Sequence, residues 1–312
     1  MIAALLVALV VVAPLLLPSW AVFLLTVAVA KALVVLAIAL LLRAGLVSFG
    51  HGLFFALGAY AVGLGARWTG AREATLLVAL AVATAAAAAA VIGLLIARYR
   101  GIFFGMLNLS VSMVVYGILL KFYSVTGGTD GIGVRTPTIL GLSLSRDTLA
   151  PGLHWFTAAL ALPAVYLVWR VWRAPLGVML RAIRDNEVRV EYMRTSVRTA
   201  IYLAYVLSGA LAGLGGALTA FRVGHIVPEL AYWTTSGEFV FVAVLGGTGS
   251  VLGPLAGSIV FEFLRSYANK FAPETWQLAL GATMLLIILF APGGLWGLAE
   301  RARWARFSKR SA

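Results

Sequence analysis

Apolar runs of about 20 residues recur along this chain, and no polar gap between them reaches about 30 residues. A run of that length crosses a hydrocarbon core as an α-helix. Only helices and closed barrels satisfy their own backbone polar groups in lipid, and the runs lack the alternation over about ten residues that marks barrel strands. The expected fold is an all-α integral membrane protein, a polytopic helical bundle of about eight to ten membrane segments, some discontinuous or re-entrant. No gap is long enough for a soluble domain, so residues 1–312 read as one transmembrane domain. Composition agrees: 62% of residues are hydrophobic and 11% charged, against about 25% charged in soluble domains.

A net charge of +13 would suggest nucleic acid for a soluble chain. Here the charge is clustered beside span ends. Seven arginines fall between Arg170 and Arg198, five basic residues follow Glu300, and Arg98 and Arg100 share a short turn. Such clusters mark the cytoplasmic side, while Glu73, Asp130, Asp147, Glu229 and Glu274 fall in the opposite loops. Nucleic-acid binding is not expected. The chain has no cysteine, which excludes disulfides, thiolate chemistry and cysteine-ligated metals. Its first apolar run lacks a basic n-region and a cleavage site, and reads as an uncleaved span.

The one long polar stretch is 174–199, a loop between spans. Leu176, Leu180 and Ile183 recur at helical spacing, as do Val190, Met193 and Val197. Asp185-Asn186 lies between the two sets and suits a helix start. Two short amphipathic helices with a bend are expected at the membrane surface. Val190, Tyr192 and Met193 would be their apolar anchor, and the arginines their rim.

Elsewhere the apolar runs carry irregular interruptions. Residues 1–17 and 21–42 read as two spans, the second containing Lys31. Residues 45–66 are punctuated by glycines, and Gly50-His51-Gly52 reads as a break in a span; His51 is expected to be packed and hydrogen-bonded. Residues 74–97 hold a run of six alanines, which packing explains, and 102–123 carry Asn108, Ser110 and Ser112. The glycines of 125–139 lack the spacing and lysine of a phosphate loop and read as a structured loop. Spans at 155–172 and 201–221 follow. Single crossings at 237–264 and 279–298 would leave the basic tail 299–312 outside. Leu245 to Pro254 therefore reads as a junction of two shorter segments near the cytoplasmic side, one of them discontinuous. The Gly-Ser clusters at Gly45 and Gly247 are loosely alike, as an inverted repeat would make them.

Catalytic motifs and metal clusters are missing: His51, His154 and His225 are scattered, and no carboxylates are paired on one helix. Glu238 and Glu262 are the intramembrane acids available to a channel. A permease powered by separate ATPases needs a cytoplasmic docking helix and no nucleotide site of its own. A secondary transporter is the other reading. The breaks at Ser48, Gly50 and His51 and at 245–250, with Asn108, Glu238 and Ser250, are expected to line the pathway.

The stretches LVSFGHGLFFALGAY, TGGTDGI, PLGVMLRAIRDNE, YVLSGALAGLGGAL, VLGGTGSVLGPLAG and LFAPGGLWGL, in this order, resemble the LivM-type permease of the branched-chain amino acid ABC importers. Arg100-Gly101 before Ile102-Phe103-Phe104, together with TGGTDG, distinguishes it from the sister LivH permease. The resemblance implies a type I-like importer permease in the bacterial inner membrane, with its coupling loop and C-terminus cytoplasmic and no cofactor. Its implied partners are a LivH-like second permease, two cytoplasmic ATP-binding subunits, a periplasmic or lipid-anchored substrate-binding protein and membrane lipid. The substrates implied are branched-chain or other hydrophobic amino acids, with amides, urea or aromatic acids among relatives. It also implies an ATPase-coupling loop through Arg181, Arg184, Asp185, Glu187, Val190, Glu191, Tyr192, Met193 and Arg194. The chain departs from the family at Arg194, where glycine is usual, at Gly52, where alanine is usual, and at Asn108-Leu109-Ser110 in place of threonine-leucine-alanine.

Overall fold

The computed structural model describes residues 10–143, 145–271, 273–275, 277–278, 281–282, 285–286, 289 and 293–298. The expectations for residues 1–9, for the remainder of 279–298 and for the tail 299–312 lie outside the described residues. A helical segment at 10–16 precedes α1 (Ser19–Leu42), α2 (His51–Thr69), α3 (Ala74–Ile96) and α4 (Gly101–Lys121). After a turn, α5 (Tyr123–Thr126), come α6 (Arg146–Arg173), α7 (Pro175–Tyr192), α8 (Val197–Val223), α9 (Trp233–Gly246) and α10 (Leu252–Phe271). Five of the described helices are long and apolar enough to cross a membrane: α1, α3, α4, α6 from Thr148, and α8. The chain is an all-helical polytopic membrane protein.

Helix α1 is the axis of the bundle. Nearly all its residues from Leu25 to Leu41 are buried, because α8, α10 and α6 surround it. A helix apolar all round belongs inside protein or in lipid; α1 takes the first place, while α3, α4 and α6 leave broad apolar faces outward. The alanine run is asymmetric. Ala81, Ala85 and Ala89, four apart, are fully buried and face α8, while Leu80, Val91, Leu94 and Leu95 of α3 are exposed. A β-carbon at Gly213 of α8 would collide with the Ala85 methyl, and one at Gly58 of α2 would strike the Gly213 backbone. Small residues on three helices thus set the spacing of α2, α3 and α8.

The 50–52 break lies at the entry of α2 and not within a span. Residues 45–50 are irregular and the helix begins at His51. The chain turns here because Gly45 takes φ +73° after the last carbonyls of α1 are capped. The 245–254 interruption falls where it was expected. Helix α9 has 14 residues, about 21 Å at about 1.5 Å per residue, too short for a core of about 30 Å. It ends at Gly247, φ +84°, and α10 resumes at Leu252, with the Gly246 backbone packed on that of Gly253.

The 125–139 loop is structured. Its strand β1 (Ile132–Gly133) pairs antiparallel with β4 (His225–Ile226), and β2 (Thr138–Ile139) with β3 (Leu142–Ser143). The two-residue turn Leu140-Gly141 has φ of +52° and +77°, the mirror-image geometry that tight hairpins favour. Leucine adopts it at a cost, and Glu73 offsets that cost. Its carboxylate accepts the Leu140 N–H at 2.8 Å and the Gly141 N–H at 3.0 Å, with the Thr138 hydroxyl at 3.1 Å. The Gly141 amide bond, with those from Leu140, Thr138 and Thr75, holds the Glu73 carboxyl below its ordinary value of 4.5. A depressed carboxyl contributes fully above its unfolded pKa and loses that contribution as pH falls through the folded one. The Leu140 and Gly141 amide resonances, followed by NMR from pH 7 downward, are expected to shift with a midpoint below 4.5. A midpoint at or above that value contradicts the hold.

Candidate functional site

Three features stand apart from the apolar packing, and the first is α7. Its helix is broken at Asn186, whose extended backbone (φ −163°, ψ 100°) separates the two expected short helices. The Asn186 side-chain oxygen accepts the Arg189 N–H at 3.0 Å, capping the second helix. Leu180 and Ile183 are buried against the bundle. The expected anchor needs correction: Val190 is 6% exposed, inside the chain's own core, whereas Tyr192 is 85% and Met193 74% exposed. Val188, 60% exposed, takes its place; four residues before Tyr192, it shares that face. The helix ends at Tyr192 and Met193 leaves helical geometry (φ −79°, ψ 13°), so a helical period carried from Val190 through Met193 does not hold and Val190 faces the bundle. Glu187 is also engaged within the chain, accepting from Arg100 Nε at 2.8 Å. Arg181, Arg184, Asp185, Glu191 and Arg194 are exposed.

The second feature is a buried polar seam. His51 sits between two hydroxyls, Nδ1 at 2.8 Å from Ser48 Oγ and Nε2 at 3.0 Å from Ser208 Oγ. Phe54 and Tyr205 stack edge-on to its ring. Asn108 accepts the Tyr205 hydroxyl at 2.7 Å and donates to the Phe104 carbonyl at 2.8 Å. Backbone at Gly50 lies directly against that of Asn108. Four of the expected pathway residues, Ser48, Gly50, His51 and Asn108, are therefore together, joined by Ser208 and Tyr205, which the sequence reading passed over. Ser48, His51 and Asn108 are buried, at 0–2% exposure. Ser250 is elsewhere: its hydroxyl accepts the Leu252 N–H at 3.3 Å at the start of α10. The two breaks do meet, through different residues. Gly45 and Val47 face Gly247, Thr248 and Gly249 across a cavity of about 490 Å³.

The third feature is a chain of charges among α1, α9 and α10. Lys31 Nζ lies 2.6 Å from Glu262 and 3.6 Å from Glu238, and Arg265 Nη1 donates to Glu238 at 2.7 Å. Side-chain exposure is 16% for Lys31 and 8% for Glu262. Glu238, expected to line the pathway, is thus held from both sides. Lys31 had no assigned role from sequence, because its partners are over 200 residues away.

A family model, described as branched-chain amino acid transport system / permease component, matches residues 20–289. The chain belongs to this family. It is 29% identical over 272 residues to the high-affinity branched-chain amino acid transport system permease protein LivM of Escherichia coli, covering 80% of this chain and 64% of that protein. The galactose/methyl galactoside import permease protein MglC of the same organism is 29% identical over 208 residues, 61% of this chain and 59% of MglC. The LivH permease of Salmonella typhimurium is 24% identical over 199 residues, 61% of this chain and 64% of LivH. The chain thus spans less than two thirds of these relatives' length. No solved structure matches it.

Membership gives meaning to Arg194, which stands where the family is expected to carry glycine. Its φ is +57°, the left-handed region that a side chain resists by about 1–2 kcal/mol. It is a conformation that glycine adopts without that cost. Arg194→Gly is expected to relieve that strain, less about 0.5–1 kcal/mol for glycine's greater unfolded freedom. A net gain of about 0.5 kcal/mol in detergent-solubilised unfolding is the expected result; a loss shows that the arginine side chain holds this turn.

Proposed function

We propose that this chain is the permease subunit of an ABC importer, passing branched-chain or other hydrophobic amino acids across the bacterial inner membrane while separate subunits hydrolyse ATP. The observation that carries this reading is α7: a surface helix broken at Asn186, with Val188, Tyr192 and Met193 bare of contacts that would bury them and arginines around them. An apolar centre with a charged rim is the make-up of a docking surface. The Arg100–Glu187 pair joins the turn between α3 and α4 to α7 at one end of the bundle, the arginine-rich end, which is read as cytoplasmic. Glu73, Asp130 and Glu229 lie in loops of the other end, the proposed periplasmic side. The partners proposed are a LivH-like permease, two ATPases and a substrate-binding protein. The cavity between 45–47 and 247–249 is the proposed inner portion of the route.

The seam of Ser48, His51 and Asn108 is assigned to bracing that route, since its groups are already hydrogen-bonded to each other. The direct test is reconstitution with the proposed second permease, ATPases and binding protein. Uptake of labelled leucine into proteoliposomes is expected to need internal ATP and external binding protein. Uptake that runs without ATP and collapses with a protonophore would establish the secondary-transporter reading instead.

A further inference from the structure

The α7 helix closes over a basic pocket, beside the cavity assigned to the route, whose clustered charge the docking reading leaves unexplained. Arg43, at the end of α1, Arg181, Arg184 and Asp185 of α7, and Thr248 and Gly249 between α9 and α10 line a cavity of about 370 Å³. Three arginines line it against one aspartate. Among the described residues none of the three arginines has an ion pair. Arg43 is buried, its guanidinium stacked 4.2 Å above the Trp172 ring. Its Nε has no hydrogen-bond partner, and a buried cationic donor left unsatisfied is costly. Burial and the neighbouring Arg181 charge both pull the Arg43 guanidinium below its ordinary value. An arrangement of like charges around an orphaned donor is one that a bound anion would relieve.

Two further observations restrict the anion. Arg43 directly follows the apolar run of α1, so the pocket sits where hydrocarbon gives way to water. Beside it lies the cavity of about 490 Å³, which shares Arg184, Thr248 and Gly249 with the pocket and is walled by Leu42, Val47, Val244 and Trp296. A charged recess adjoining an apolar one at the membrane boundary suits an amphipathic anion. The arginine fork matches phosphate oxygens in pairs, and basic pockets between membrane helices hold anionic headgroups.

We propose that this pocket binds a phosphate group, that of an anionic phospholipid, and so ties α7 to the break between α9 and α10. The same phosphate chemistry is available from free phosphate, and the test separates the two. The full chain is placed in nanodiscs of phosphatidylcholine, with or without phosphatidylglycerol, and unfolded by heat. Inorganic phosphate is added to the phosphatidylcholine discs against sodium chloride of equal ionic strength. Phosphatidylglycerol is expected to raise Tm by about 4 °C. The gain should fall by at least half in R181Q/R184Q and persist in R67Q/R72Q, which removes two exposed charges in and beside α2, away from the pocket. Phosphate reproducing the gain, again only with Arg181 and Arg184 intact, identifies free phosphate as the ligand. The proposal is overturned if neither raises Tm, if R181Q/R184Q keeps the gain, or if R67Q/R72Q loses as much. Should the double variant not fold, R184Q alone, scored by native mass spectrometry for retained phosphatidylglycerol, decides in its place: undiminished retention overturns the site. No ATPase is present in any arm, so failure here leaves the permease reading standing.

Discussion

Lys31→Met is expected to destabilise the protein by about 3 kcal/mol or more, because it removes the cation that Glu262 is buried against. The Lys31–Glu262 separation of 2.6 Å and the 8% exposure of Glu262 make the loss larger than any exposed pair would give. Glu262→Met should cost less, since Lys31 still has Glu238 at 3.6 Å. Removing both, Lys31→Met with Glu262→Met, is expected to recover much of the loss: apolar side chains replace a buried pair, and Glu238 keeps Arg265 at 2.7 Å. Denaturant unfolding in mixed micelles gives all four corners of the cycle. If the double variant loses the sum of the singles, the two residues are not coupled and the network is incidental.

Tyr192→Asp with Met193→Asp should abolish most ATP-driven uptake without unfolding the chain. Both side chains are exposed, so the intrinsic stability change is expected within about 0.5 kcal/mol. Their apolar surface, if it anchors a partner, is worth about 2 kcal/mol per residue when lost. A fall in uptake of at least about tenfold, with the ATPase no longer co-purifying, is the expected pair of results. Val190→Ala makes the contrast. It should lower stability through the chain's own core while the ATPase still co-purifies. Full uptake by the Tyr192/Met193 variant would remove α7 from the coupling role.

The features legible in the sequence were those set by local chemistry. Asn186 announces a helix start by its side chain, and the glycines of 245–254 and the short apolar runs beside them announce a junction. Length and hydropathy alone gave the helices their character. What escaped was set by distant partners or by phase. Lys31 reads as an isolated cost until Glu262 is placed beside it. Val190 and Met193 share a helical period on paper, yet the helix ends at Tyr192 and the backbone at Met193 and Arg194 departs from it, leaving one side chain inward and the other outward. Ser208 and Tyr205 look like ordinary residues of a span; only the fold carries them to His51 and Asn108. Arg194 is a further case: its departure from an expected glycine was legible, but its left-handed backbone was not.

The burial of α1 by helices from the far end of the chain has a consequence for biogenesis. Lys31 emerges 231 residues before Glu262, an interval on the order of 10–50 s at bacterial and slower synthesis rates. For that time a cationic side chain waits in the bilayer, or at the insertion machinery, without the carboxylate that lies nearest it in the fold. Release of α1 into lipid before α10 is made would strand it. The nascent chain should therefore dwell beside a polar host until its last described helices arrive, and ribosome-stalled intermediates ending before residue 262 should remain cross-linkable to that host through position 31.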